Sequence, residues 1–176
     1  APFDFNLKDD VTWRKWEASY MRYIISYAVL AQKNKVELFS IGSNFNNAVA
    51  VRKSFFSKLI LEVRKVYSGK ITYASSYDDI NRVAFWNELD YIGVNAYYPL
   101  SANKTPVIKE LIASWKLPKQ QLHQLSLKYN RQVLFTEWGY RSIDKCAGNQ
   151  SELPDDFIYE GNANINAQAA AFACLL

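Results

Sequence analysis

The chain has 176 residues, 49% of them hydrophobic and 22% charged, which predicts one soluble globular unit with a real core. Its 21 basic and 17 acidic residues leave a net charge of +4 spread along the whole length, with no basic block or stripe, and this argues against nucleic acid as a partner. No apolar run approaches the ~20 residues of a membrane span, no signal-peptide pattern is present, and Ala1 reads as a mature or trimmed start. One histidine (His123) and two cysteines (Cys146 and Cys174) in no metal-like spacing argue against a metal site or a histidine-based triad, and no cofactor is expected. The same two cysteines say little about redox compartment.

After an irregular lead-in, a long helix is predicted from Thr12, capped by Thr12 or Asp10. Trp13, Trp16, Tyr20, Tyr23, Ile24, Tyr27 and Leu30 recur at three- and four-residue steps and predict one aromatic-apolar packing face. A first strand is expected over Val36 to Ile41, then the loop Gly42-Ser43-Asn44-Phe45-Asn46-Asn47. A second helix follows from Val49 to Tyr67, with Phe55, Phe56, Leu59, Ile60, Val63 and Val66 inward and Gly69 as its stop. Lys70 to Ala74 reads as the second strand, and a short helical turn near Val83 to Trp86 leads to the third, Asp90 to Asn95. Thr105 and Pro106 predict the start of a helix through Trp115. Pro118 opens another, with Leu122, Leu125 and Tyr129 on one face and His123 beside it as a surface residue.

The run Gln132-Val133-Leu134-Phe135-Thr136 then reads as a buried strand. It ends abruptly in Glu137-Trp138-Gly139-Tyr140. Strands buried on both faces belong to parallel sheets, and function in such folds gathers where the strands end. Glu137 stands at that end with two aromatics behind it: a carboxylate for chemistry, and flat apolar faces for a sugar ring. The alternative is a strand-end glutamate that caps the next turn. A long polar loop is expected from Arg141 to Gly161, then a closing Ala-rich helix from Asn164. Strict alternation of four strands with helices, without a hairpin signal, predicts parallel βαβ units of an α/β fold. No glycine-rich phosphate loop follows any strand, so a doubly wound nucleotide-binding domain is disfavoured.

The segments Trp13-x-x-Trp16-x-x-x-Tyr20, Phe39-Ser40-Ile41-Gly42-Ser43-Asn44, Gly69-Lys70-Ile71-Thr72-Tyr73-Ala74, Asp90-Tyr91-Ile92-Gly93-Val94-Asn95-Ala96-Tyr97-Tyr98-Pro99-Leu100 and Phe135-Thr136-Glu137-Trp138-Gly139-Tyr140-Arg141-Ser142 resemble glycoside hydrolase family 113, β-mannanases built on a TIM barrel. The likeness runs over nearly the whole chain in one order. It implies that residues 1–176 are a single partial (β/α)8 glycoside hydrolase-like domain, a half barrel holding the fourth to seventh strands. A whole barrel is typically ~250 residues. The remainder would come from the same longer chain or from a partner chain, the first being preferred.

Retaining glycosidases use two carboxyls ~5–5.5 Å apart, one as nucleophile and one as acid/base. The resemblance implies Glu137 as the nucleophile and Tyr97 as a hydrogen-bond donor that keeps it oriented. The acid/base position, two residues past the glycine of the first strand, holds Asn44, and an amide has no proton to give near pH 7. Ser76 stands where the family tends to place Asn. Trp138, Tyr140, Tyr98, Tyr77, Ser76 and Arg141 are the expected contacts to a polysaccharide or oligosaccharide. Glu37 lies seven residues before Asn44, toward the other end of its strand, and cannot replace the missing acid. Asp78, Asp79 and Glu88 are not singled out by any pattern. Two readings stay open: a retaining β-mannanase-type hydrolase, or an inactive descendant that binds carbohydrate or serves as a scaffold.

Overall fold

The structure, a computed structural model, describes residues 5–148 and 162–175. The expected loop from Arg141 to Gly161 therefore falls largely outside the described residues. The chain divides into two compact units, Ala1–Asn95 with Ser126–Thr136 and Ala96–Leu125 with Glu137–Leu176.

The first unit holds a four-stranded sheet of β1 (Leu38–Ser43), β2 (Lys70–Ser76), β3 (Tyr91–Asn95) and β4 (Gln132–Glu137, whose last residue opens the second unit), in that spatial order. β1 and β2 pair in parallel with Leu38 beside Lys70, and β2 and β3 in parallel with Ala74 beside Gly93. Sequential order with parallel pairing is what repeated βαβ units produce. Gly93 is required by close approach: a Cβ there would sit 2.3 Å from the Tyr73 carbonyl oxygen on the neighbouring strand.

Helix α1 (Asp10–Lys33) is capped by Asp9, whose carboxylate accepts from the Thr12 N–H at 2.8 Å, rather than by Thr12 or Asp10. Only part of its predicted stripe packs. Trp13, Ile24, Ala28 and Ala31 are buried, while Tyr23, Tyr27 and Leu30 are at least half exposed. The single helix expected from Val49 is two, α2 (Asn46–Val51) and α3 (Lys53–Val66). Between them Arg52 leaves helical geometry (φ −119°, ψ 37°), its guanidinium anchored on Glu17 at 2.5 Å and Asp10 at 2.8 Å. α3 buries Phe55, Phe56, Leu59, Ile60 and Val63. Phe56 stacks on Phe85 at 5.1 Å, and Phe85 meets Tyr73 edge-on at 5.9 Å, so the aromatic core lies between α3 and β2. Two 3-10 turns, Ile80–Arg82 and Trp86–Glu88, replace the expected helical turn.

At the entry to β3, the Asp90 carboxylate accepts from the Ile71 N–H at 2.8 Å, Arg64 at 2.9 Å and Lys70 at 3.4 Å. Burial pushes that carboxyl up, but these bonds and charges outweigh it and hold it below its usual value of 3.8. The central strands β2 and β3 are nearly all buried, whereas Val133, Leu134 and Phe135 of β4 are half-buried. That corrects the expectation of a strand covered on both faces. β4, like β1, is an edge of the described sheet, so one side of each lacks a neighbour.

The second unit contains α4 (Ile108–Ser114), the greater part of α5 (Lys116–Tyr129) and α6 (Ile165–Ala173). Thr105 and Pro106 do not open α4, which starts after Val107; the Thr105 hydroxyl instead accepts from the Asn164 amide at 2.7 Å. Asn164 also caps α6, accepting from the Ala167 N–H at 2.9 Å. His123 is exposed, as expected. Among the described residues no helix is long and apolar enough to cross a membrane.

Candidate active site

The turn after β1 is held from several sides within the first unit. The ladder between β1 and β2 shifts register between Ser40 and Ser43, and the Asn44 N–H donates to the Ala74 carbonyl at 3.0 Å. Asn44 itself lies in the left-handed region at φ 53°, which asparagine tolerates better than most residues. The Tyr20 phenol donates to the Ile41 carbonyl at 2.8 Å, and the Tyr73 phenol accepts from the Phe45 N–H at 2.7 Å. Gly42 makes room for these rings: a Cβ there would meet the Tyr20 hydroxyl at 2.9 Å and the Tyr73 ring at 3.2 Å. Burial, ahead of all other causes, holds both phenols well above their ordinary value of 10.0.

Asn95, at the end of β3 and only 3% exposed, links this turn to β4. Its amide oxygen accepts from the Thr136 hydroxyl at 2.7 Å. Its amide nitrogen donates to Ser43 Oγ at 3.3 Å and to Asn44 Oδ1 at 3.2 Å. Nothing in the sequence singled out Asn95 or Thr136, although each is a polar residue closing an apolar strand, and that signal could have found them.

Ser76, the last residue of β2, is half-buried and donates to the exposed Asp78 carboxylate. Tyr77 is half-buried, its phenol raised first by burial and then by the Asp78 charge. Asp79 pairs with Arg82 at 3.0 Å. Glu88 accepts from Ser57 of α3 at 2.8 Å and precedes β3, so it lies toward the other end of the strands.

In the second unit, Glu137 is exposed and Tyr97 is half-buried, and the Tyr97 phenol lies beside the Glu137 carboxylate. The Tyr97 phenol is raised by burial first, then by the neighbouring Glu137 carboxylate. The Ala96 N–H donates to the Glu137 carbonyl at 2.8 Å, so the backbones that carry the two side chains are tied together. Trp138 is half-buried against Phe172, ring centres 4.6 Å apart. Tyr98 and Tyr140, expected at the rim, are 6% and 5% exposed. Tyr98 packs on Trp115, and the Tyr140 hydroxyl donates to the Tyr98 carbonyl at 3.3 Å, so both serve the core of this unit. Arg141 is exposed.

The strand ends thus carry two arrangements: an exposed carboxylate beside a phenol, and a hydroxyl-amide relay that passes through buried Asn95 to Asn44. Among the described residues no cluster of His, Cys, Asp and Glu could hold a metal ion.

Solved structures that this chain resembles include β-mannanases. The GH113 β-mannanase AaManA from Alicyclobacillus acidocaldarius, solved in complex with ManMIm, is 24% identical with a TM-score of 0.77, aligned over 93% of this chain and 47% of its own. Two structures of a GH113 β-1,4-mannanase, one of them a complex, are 29% and 28% identical with a TM-score of 0.79, each aligned over 98% of this chain and 51% of its own. The chain therefore spans about half the length of the structures it matches. No curated protein matches it. A parallel sheet with alternating helices, matching half of such enzymes, is a partial barrel of the TIM type. The profile of Glycoside Hydrolase Family 113 matches residues 2–176, and the chain, a glycoside hydrolase-like domain, belongs to that family.

Proposed function

We propose that the strand ends carry a saccharide site of the retaining β-mannanase type, acting on β-linked polysaccharide or oligosaccharide, with Glu137 as nucleophile and Tyr97 as its orienting donor. The exposed Glu137 carboxylate at the end of β4, with the Tyr97 phenol beside it and the Ala96 N–H bonded to its carbonyl, carries this reading. A nucleophilic carboxylate must be ionised and aimed at the anomeric carbon. Burial and the neighbouring charge raise the Tyr97 phenol, which favours its protonated, donating form beside that carboxylate. Trp138 with Arg141 in the second unit, and Tyr77 with Ser76 in the first, are each proposed to give an aromatic face and a polar contact to saccharide. Tyr98 and Tyr140 support the site from the core.

Glu137 would attack C1 as the bond to the leaving oxygen breaks, and water would then open the glycosyl ester. Asn44 holds the place of the acid/base, and its amide neither protonates a leaving oxygen nor deprotonates water. Lost general acid catalysis lowers the rate by ~10²–10⁴-fold. Cleavage is therefore expected for glycosides whose aglycone departs as a stable anion, and not for mannan. The same asparagine favours a second reading, a non-catalytic descendant that binds glycan or acts as a scaffold. The half-exposed edges of β1 and β4 are proposed seats for further parallel strands, from the same longer chain or from a partner.

The test uses full-length protein with dinitrophenyl β-mannoside and mannan. Turnover of the activated glycoside, abolished in Glu137→Gln, with a covalent glycosyl adduct on Glu137 in intact-mass analysis, is the expected result. No turnover of either substrate, together with no gain in Asn44→Glu, would end the catalytic reading. Retention on immobilised mannan by that silent protein would leave the glycan-binding descendant.

A further inference from the structure

We infer that Asn44 is a fixed hydrogen-bond donor to a saccharide oxygen, and that Asn95 and Thr136 are positioning residues that hold its amide in one orientation. The inference rests on the sugar-site reading above and assigns a role to residues which that reading leaves unused.

Hydrogen-bond accounting leads to it. A primary amide has two N–H donors and one acceptor oxygen. Asn95 is buried and spends all of them inside the protein: its oxygen on the Thr136 hydroxyl at 2.7 Å, its two N–H groups on Ser43 Oγ at 3.3 Å and Asn44 Oδ1 at 3.2 Å. The Thr136 hydroxyl therefore fixes which end of the Asn95 amide meets Asn44. Asn95 in turn takes Asn44 by its oxygen. What remains of the Asn44 side chain is Nδ2, which has no protein acceptor among the described residues, on a half-buried residue at a strand end. The backbone is fixed as well, by the left-handed φ of 53° and the N–H bond to Ala74. A rigid neutral donor suits an ether or hydroxyl oxygen of a sugar, and it carries no charge to be desolvated on binding.

A simpler role for Asn44 is to accommodate the left-handed backbone, and glycine separates the two. Asn44→Gly keeps that backbone and removes the amide; Asn44→Asp keeps the shape and replaces the donor by an acceptor. Thr136→Val removes the hydroxyl that orients Asn95, and Thr136→Ser restores it. Each variant of the full-length protein is titrated calorimetrically with β-1,4-mannohexaose. Loss of one neutral hydrogen bond should weaken binding roughly threefold to tenfold in Asn44→Gly, and further in Asn44→Asp. Thr136→Val should weaken it in the same direction, and Thr136→Ser should bind as wild type, a rescue that general loosening of the strand would not give. The Asn44 side-chain amide resonances in 15N NMR should move in Thr136→Val and return in Thr136→Ser.

Wild-type affinity in both Asn44→Gly and Asn44→Asp would overturn the inference and leave the sugar site standing. Unchanged binding in Thr136→Val would overturn the positioning role. A wild-type protein with no affinity for mannohexaose would remove this inference together with the sugar-site reading, a result distinct from the other two.

Discussion

The Tyr97 phenol lies beside the carboxylate of Glu137, whose charge raises it after burial, and the Ala96 N–H donates to the Glu137 carbonyl at 2.8 Å. Two adjacent strand ends thereby form one unit of carboxylate and donor. In Tyr97→Phe the carboxylate loses that partner while the ring stays. Removing a donor to a charged group is expected to cost roughly 1.5–3 kcal/mol, about a tenfold to hundredfold loss in kcat/KM on the activated glycoside. Initial-rate kinetics on both proteins measure it, and equal values would show that Tyr97 does not orient the nucleophile.

Asn44 has a φ of 53°, where most side chains are strained. Asn44→Glu should therefore be less stable than Asn44→Gly by about 1–2 kcal/mol, since both remove the amide that accepts from Asn95 and only glycine adopts this φ freely. Urea unfolding with unchanged m-value checks the pair. Equal stability of the Glu and Gly variants would mean that the turn relaxes freely.

Burial is the largest cause that raises the phenols of Tyr20, Tyr73 and Tyr140 well above 10.0, and it raises Tyr97 in the same direction. A group whose folded pKa exceeds its unfolded one adds stability that is fully present below the unfolded value and is lost as pH rises through the folded one. The fold should therefore hold its stability up to about pH 10, the ordinary tyrosine value, and lose it progressively above. Phenolate absorbance at 295 nm should show exposed tyrosines titrating first and these four only as the circular dichroism collapses. Ionisation of all twelve tyrosines in one step near pH 10, with the fold intact, would contradict this.

Asp90 behaves in the opposite sense. Its folded pKa lies below 3.8, so its contribution is present above that value and is lost as pH falls through the depressed one. Asp90→Ala leaves the Ile71 N–H without its acceptor and Arg64 with only the Glu88 carbonyl, and should cost roughly 1–3 kcal/mol at neutral pH. The difference from wild type should shrink below pH 4. Thermal denaturation of both proteins at pH 7 and pH 3 tests magnitude and sign together.

Gly42→Ala would drive a methyl to 2.9 Å from the Tyr20 hydroxyl and 3.1 Å from the Phe45 ring. Overpacking of this kind typically costs ~1–3 kcal/mol. Because the same rings fix the turn that carries Asn44, mannohexaose affinity should fall along with the melting temperature. Normal affinity in a destabilised variant would separate the turn from the site.

Alternation of apolar strands with amphipathic helices determined the parallel order of β1 to β4, since each pattern can bury its apolar side in one way only. Residue identity determined that Asn44 cannot donate a proton as an acid. Local pattern also placed Glu137 at a strand end, because the apolar run stops there. Tertiary structure decided the rest. Tyr98 and Tyr140 follow strand ends like Trp138 does, and only packing against Trp115 and Phe172 turned them into core. Tyr23, Tyr27 and Leu30 share the helical spacing of Ile24 yet remain exposed, because periodicity marks a face without saying what covers it. The helix break at Arg52 follows an ion pair with Asp10 and Glu17, more than thirty residues away in the chain. Asn95 and Thr136 are forty-one residues apart and meet only where neighbouring strands end. Hydrogen bonds between distant residues have no periodicity, so no local pattern could have announced them.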